Sequence, residues 1–178
     1  VLGMRVSDAS LQRLDAMTGT ITAYQDALQR TRAAIAQTQV ARRTMISEGN
    51  TVVQQINNLR SQINALDVPQ RSALQAGFTA FNDEMLMTRY EVRGFMMTQS
   101  ADRERTLANQ MNKTTAALEA NERLLSLYFP GELRELQNAL KRYFSPLDDY
   151  KKYIREVNAV SEEMTRHATS LLQLYRFF

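Results

Sequence analysis

Leu74, Phe78, Phe81, Met85, Val92 and Met96 recur at three- and four-residue steps or their sums within residues 74–98. That spacing is one apolar face of an α-helix. Arg89 falls four residues after Met85 and three before Val92, so it lies on the same stripe rather than on the wet side. A charge aimed at a core is expensive unless something pairs it. In a helical bundle its partner is either a carboxylate on another helix or an anion that comes and goes.

The same periodicity organises the rest of the chain. Leu11, Leu14 and Met17 predict a short helix within residues 1–19, with Ser7 and Asp8 as caps. Thr18-Gly19-Thr20-Ile21-Thr22 breaks that rhythm with β-branched residues and a glycine. A second pattern runs from Tyr24 to about Leu66, with Leu28, Ile35, Met45, Val52, Val53, Ile56, Leu59 and Ile63 on its apolar side and Gly49-Asn50 as its one breaker. Asp67-Val68-Pro69 is a turn, because proline disfavours helix at the residue before it and suits the start of the next. Further helices are predicted over about 70–98, 102–127 and 132–178. The last places Leu133, Leu136, Leu140, Tyr143, Leu147, Tyr150, Ile154, Val157, Met164, Leu171 and Leu174 on one side. Ser145-Pro146 interrupts it as a kink or a fresh cap. At 1.5 Å per residue this helix would be about 70 Å long and needs long partners. The expected fold is therefore all-α, an elongated antiparallel helical bundle.

An offset of 119 places Tyr24, Leu28, Ile35, Met45 and Gln54 on Tyr143, Leu147, Ile154, Met164 and Gln173. The chain reads as one helical domain of two related units, a first at 1–66 and a second at 67–178. The second unit has an ascending, a short and a descending helix. The first lacks an ascending and a short helix near residue 20, a segment of about seventy residues when scaled from the second.

Composition narrows the function. The chain has 178 residues, enough for a substantial core, and its net charge of +3 is too small to argue for nucleic acid. It has no cysteine, so disulfides and thiolate metal sites are excluded. His167 is the single histidine, with no second ligand at metal-binding spacing. There is no Gly-rich phosphate loop, no H-E-x-x-H and no Ser–His–Asp motif, so nothing suggests an enzyme or a cofactor. The methionines Met85, Met87, Met96 and Met97 read as core filler. No apolar run of roughly eighteen residues occurs, so the membrane spans of a membrane-bound parent are expected outside this chain. The terminal Leu174-Tyr175-Arg176-Phe177-Phe178 has the aromatic and basic character of an approach to a membrane interface.

Thr88-Arg89-Tyr90-Glu91-Val92-Arg93-Gly94-Phe95 resembles the R-x-x-V-R-G-Y/F segment of the helical bimodular sensor domain, the periplasmic ligand-binding region of some bacterial chemoreceptors and sensor kinases. Residues 24–28 through Arg43-Thr44-Met45 and Gly49 resemble one descending helix of that family. Tyr143 through Glu163-Met164-Thr165 and Leu171 resembles the other. The resemblance implies two stacked four-helix modules, each able to hold a small anion such as acetate or a citric-acid-cycle acid. It implies that Arg89 and Tyr143 line the distal pocket and that Tyr24, the repeat mate of Tyr143, faces the proximal one. It also implies a homodimer on the periplasmic side of the bacterial inner membrane, signalling in chemotaxis. Phe95 stands where the family often has tyrosine, and Pro146 is a further departure.

Each of these residues has a plainer reading. Arg89 is either a guanidinium fork for a ligand carboxylate or half of an internal salt bridge. Arg93, about 80° round the helix from Met85, belongs on the rim, as a second ligand contact or in a surface pair with Glu91. Tyr143 donates to a carboxylate oxygen or simply packs. Two other functions fit the same pattern: a sensor-kinase ectodomain that docks a periplasmic binding protein, and a structural bundle without a ligand.

Overall fold

The computed structural model describes residues 7–176 and contains five helices and no strand among them. They are α1 (Asp8–Asn64), α2 (Arg71–Met97), α3 (Ala101–Ala120), α4 (Glu122–Tyr128) and α5 (Pro130–Tyr175). The all-α expectation holds. Phe177 and Phe178 of the expected membrane approach lie outside the described residues.

The expected break at residues 18–22 is absent, and the two predicted helices are one. Thr18, Thr20 and Thr22 donate their hydroxyls to the carbonyls of Leu14, Ala16 and Thr18 at 2.9, 2.9 and 3.0 Å. Side chains bonded back to the preceding turn remain compatible with helix, and one glycine costs only about 1 kcal/mol. Gly49-Asn50 is also helical. Pro146 starts no new helix: α5 continues through it, and the ring is buried. The predicted 102–127 helix is instead interrupted at Asn121, and α5 opens two residues earlier than expected, with Pro130 in its first turn. Ser7 caps α1, accepting from the Ser10 amide at 3.1 Å.

Two compact units emerge, Thr44–Pro146 and a second formed by the described parts of 1–43 and 147–178. The Thr44–Pro146 unit has the fuller core. α1 supplies Met45, Val52, Ile56, Leu59 and Ile63, and α2 supplies Leu74, Phe78, Phe81, Met85, Val92 and Phe95. Leu107, Leu118 and Leu125 close one side, and Leu133, Leu136, Leu140 and Tyr143 of α5 close another. Each such side chain contributes about 1.5–3 kcal/mol by leaving water.

Polar contacts fix α2 against α3. Thr88 and Thr114, both buried, share a hydroxyl–hydroxyl bond of 2.7 Å. Thr114 and Gln110 also donate to the Glu84 carbonyl at 3.0 Å each, and Gln110 reaches the Glu84 carboxylate at 2.6 Å. At the break between α3 and α4, the Asn121 amide donates to the carbonyls of Gly77 and Ala117 at 2.8 Å. A Cβ on Gly77 would lie 1.7 Å from Asn121 Oδ1. The sequence reading missed this pair.

The unit formed from the two ends of the chain contains only α1 and α5 among its described residues. Ala27, Ala34 and Ala41, seven residues apart, are buried there, whereas Leu14 and Ile35, expected inward, are 45% and 43% exposed. The contact face of α1 thus carries small residues, and α5 adds the buried Leu147, Tyr150 and Val160. An ion pair spans the two helices: Arg30 Nη1 and Nη2 donate to Glu163 Oε2 and Oε1 at 3.0 and 2.7 Å. Arg30 Nε also bonds Asp26 at 3.0 Å, and His167 Nε2 lies 3.3 Å from Glu163. The Arg30 hydrogen bonds, then that of His167, hold the Glu163 carboxyl down at about 2 rather than its ordinary 4.5.

Both units carry a testable contact. Gly77→Ala should displace Asn121 from the Gly77 carbonyl and cost about 1–2 kcal/mol in urea denaturation, the cost of a lost, part-buried hydrogen bond. A depressed carboxyl pKa stabilises the fold above the unfolded value and loses that contribution as pH falls through the folded one. Helicity at the Arg30–Glu163 pair should therefore be steady at neutral pH and fall between about pH 4.5 and 2. In a Glu163→Gln variant, the acid-dependent part assigned to this pair should vanish from the circular-dichroism titration.

Candidate functional site

Thr88 occupies the core position of the α2 turn, which leaves Arg89 half-buried beside it and Arg93 exposed one turn further on. Residues four apart share a helix face, so both guanidiniums project to the same side. There they border a cavity of about 160 Å³. α1 contributes Met45, Ile46, Gly49 and Asn50, α2 contributes Arg89, Val92, Arg93 and Met96, and α5 contributes Tyr143.

The charge balance of this cavity is one-sided. No aspartate or glutamate lines it. Neither Arg89 nor Arg93 makes a salt bridge or hydrogen bond among the described residues, and the internal carboxylate partner weighed for Arg89 is not there. Glu91, weighed as a partner for Arg93, does not pair with it either. By contrast, Arg142 on α5 is paired with Glu48 on α1 at 3.3 Å. With no carboxylate, imidazole or thiol in its lining, the cavity carries no anionic counter-charge for a cation. Two fixed positive charges beside an apolar floor suit a small anion.

Tyr143 supplies the neutral donor. Its side chain is only 3% exposed, and its hydroxyl makes no hydrogen bond among the described residues. Burial pushes the hydroxyl up to about 12, while Arg89 and then Arg93 pull it back in part. It stays protonated at physiological pH and can donate to a carboxylate oxygen. Gly49 gives the ring its place: a Cβ there would stand 2.9 Å from Tyr143 Cε2. The glycine first read as a helix breaker is thus the point where α1 and the tyrosine ring approach most closely.

Arg89, Arg93 and Tyr143 accordingly border one cavity. Tyr24 belongs to the other unit, where it lines a groove with Ser161, Met164, Thr165, Ala168, Thr169 and Leu172. No guanidinium lines that groove. Asn50 and Ile46 escaped the sequence reading. Their only signal was helical spacing around Gly49, one residue and three residues away.

A family model for the helical bimodular sensor domain matches residues 4–176. The chain belongs to that family. Helical bimodular domains are sensor domains. No curated protein matches the chain. Among the described residues, no helix of this helical bimodular domain is long and apolar enough to cross a membrane.

Two glycines give a matched test of the close approach. Both lie inside α1, but a Cβ on Gly19 meets nothing within 4 Å. Gly19→Ala should gain about 0.5–1 kcal/mol from helix propensity. Gly49→Ala should lose that gain, because the ring of Tyr143 must move. Paired chemical denaturation of the two variants should therefore separate them by about 1 kcal/mol or more.

Proposed function

We propose that this domain is the extracytoplasmic sensor of a transmembrane chemoreceptor, on the periplasmic side of a bacterial inner membrane. It binds a small organic acid between helices, of the size of acetate or a citric-acid-cycle acid, and signals in chemotaxis. The membrane anchors belong to segments outside this chain, and the receptor works as a homodimer. The observation that carries this reading is the pair of guanidiniums, Arg89 and Arg93, left without internal counter-charge on one cavity beside the unbonded hydroxyl of Tyr143.

The mechanism rests on where these groups sit. Arg89 and Arg93 are on α2, and Tyr143 is on α5. A carboxylate held by both helices favours the arrangement in which the three groups converge over any other. The differential affinity becomes a small displacement of α5 relative to α2. Arg89 acts as a planar fork for two carboxylate oxygens, Tyr143 fixes the orientation, and Arg93 adds charge at the rim.

A ligand-free structural bundle would place a carboxylate against Arg89, and no such partner is present among the described residues. A sensor-kinase ectodomain that docks a periplasmic binding protein would share this fold and differ in the cytoplasmic module to which it is joined.

A thermal-shift and calorimetric screen with mono-, di- and tricarboxylates tests the reading. A ligand at a hundred times its dissociation constant should add about 2.7 kcal/mol of stability. Arg89→Ala should abolish the shift, and Arg89→Lys should weaken binding at least about tenfold, since an ammonium keeps the charge but loses the fork. Tyr143→Phe should weaken binding by a smaller factor without unfolding the domain. No shift with any acid, together with marked destabilisation by Arg89→Ala, would instead make Arg89 a structural residue.

A further inference from the structure

α3 meets its two neighbours differently. Toward α2 its polar groups are spent, since Thr114 and Gln110 bond to Thr88 and Glu84. Toward α5 a cleft of about 410 Å³ stays open. It belongs to the Thr44–Pro146 unit and shares no lining residue with the Arg89 cavity. Protein interiors leave few voids larger than a water, and clefts of about 300–1,000 Å³ are the size at which small molecules bind. The floor of this one is apolar: Leu118 and Leu140 are 4% and 5% exposed, and Phe144 is half-buried.

Three charges rim that floor. Arg134 and Lys141 lie seven residues apart on one face of α5, about 10 Å along its axis, and Glu119 comes from α3. Neither cation has a carboxylate three or four residues away on α5, where a solvated helix face commonly supplies one. None of the three makes an ion pair or hydrogen bond among the described residues, whereas Arg142, next to Lys141, does pair with Glu48. Gln137 and Asn138, between the two cations, keep their amides unbonded as well.

We infer that this cleft is a second ligand site, for an amino dicarboxylate such as glutamate or aspartate. The charges select the class. An inorganic anion or a plain dicarboxylate would satisfy Arg134 and Lys141 but set its own charge against Glu119. A diamine would satisfy Glu119 and face two cations. Two carboxylates and one ammonium complement the two cations and one carboxylate of the cleft group for group. The ligand carboxylates meet Arg134 and Lys141 from the two ends, and the ammonium meets Glu119. The methylene chain lies on Leu118, Leu140 and Phe144, and the two amides offer both donors and acceptors. Occupancy ties α3 to α5. It also bears on the Arg89 cavity, because the Phe144 ring lies 5.7 Å from the Tyr143 ring, centroid to centroid. The site does not rest on the carboxylate reading of that cavity.

Isothermal titration of the 178-residue chain with L-glutamate and L-aspartate tests it. At least one of them should bind, and that binding should persist in Arg89→Ala. Arg134→Gln and Lys141→Gln should each weaken it at least about tenfold. All three charged side chains are exposed, so circular dichroism of their variants should match the native chain. Glu119→Gln gives the decisive readout: it should weaken glutamate at least about tenfold and leave glutarate, which lacks the ammonium, no weaker. Absence of binding by both amino acids would overturn the inference. So would binding that survives Arg134→Gln and Lys141→Gln together, or a Glu119→Gln variant that holds glutamate as tightly as the native chain.

Discussion

A half-buried guanidinium without a counter-ion is the constraint on which the site depends. Placed fully inside an apolar core, an unpaired charge would cost several kcal/mol. Arg89 avoids that cost because Thr88, not Arg89, takes the innermost position of its turn. Thr88 spends its hydroxyl on Thr114, and Gln110 and Thr114 satisfy the carbonyl of Glu84 one turn earlier. α2 is thereby fixed in rotation about its own axis by bonds to α3. A small rotation would carry Arg89 either into the core or out to solvent. The polar seam behind the helix thus sets the depth of the charge in front of it.

The neutral half of the site depends on a missing atom. Tyr143 is nearly fully buried, yet its hydroxyl has no bond among the described residues. The hydroxyl is not among the buried unpartnered polar atoms of the described residues, so the little exposure this side chain has includes its oxygen, which is open to water or to a ligand. Gly49 lets the ring lie against α1, so the hydroxyl reaches the same cavity as the two guanidiniums. Two charges on one helix and one donor on another would make the binding of an anion directional, and a directional ligand can shift a helix.

Much of this was legible in the sequence, for identifiable reasons. Periodicity located α2 within a residue at each end, because Pro69 and the capping residue Ser100 flank an unbroken apolar stripe. The same stripe exposed Arg89 as an anomaly. Two features could not be read. The Thr18–Thr22 tract looked like a break because propensity does not register hydroxyls that bond back to the preceding turn. Gly49 looked like an interruption and Gly77 carried no signal, although each marks a close approach by a side chain distant in sequence, Tyr143 and Asn121. The inward face of α1 was misassigned for a related reason. Its buried positions near the start are alanines, which weigh little in a hydrophobic pattern, while leucines and isoleucines beside them stand exposed.

That inversion separates the two units physically. In Thr44–Pro146, several helices surround large side chains, and the apolar stripes are spent on the core. Between the two ends of the chain, α1 buries Ala27 and Ala34, α5 buries Leu147, Tyr150 and Val160, Arg30 pairs with Glu163 across them, and Leu14, Ile21, Ile35, Leu172 and Tyr175 stay exposed. A pair of helices with few large buried side chains gains less from burial than a full bundle does, since alanine removes little area from water and a solvent-facing ion pair is weakened by screening. The leucine, isoleucine and tyrosine side chains that could stabilise this end do so only when something covers them.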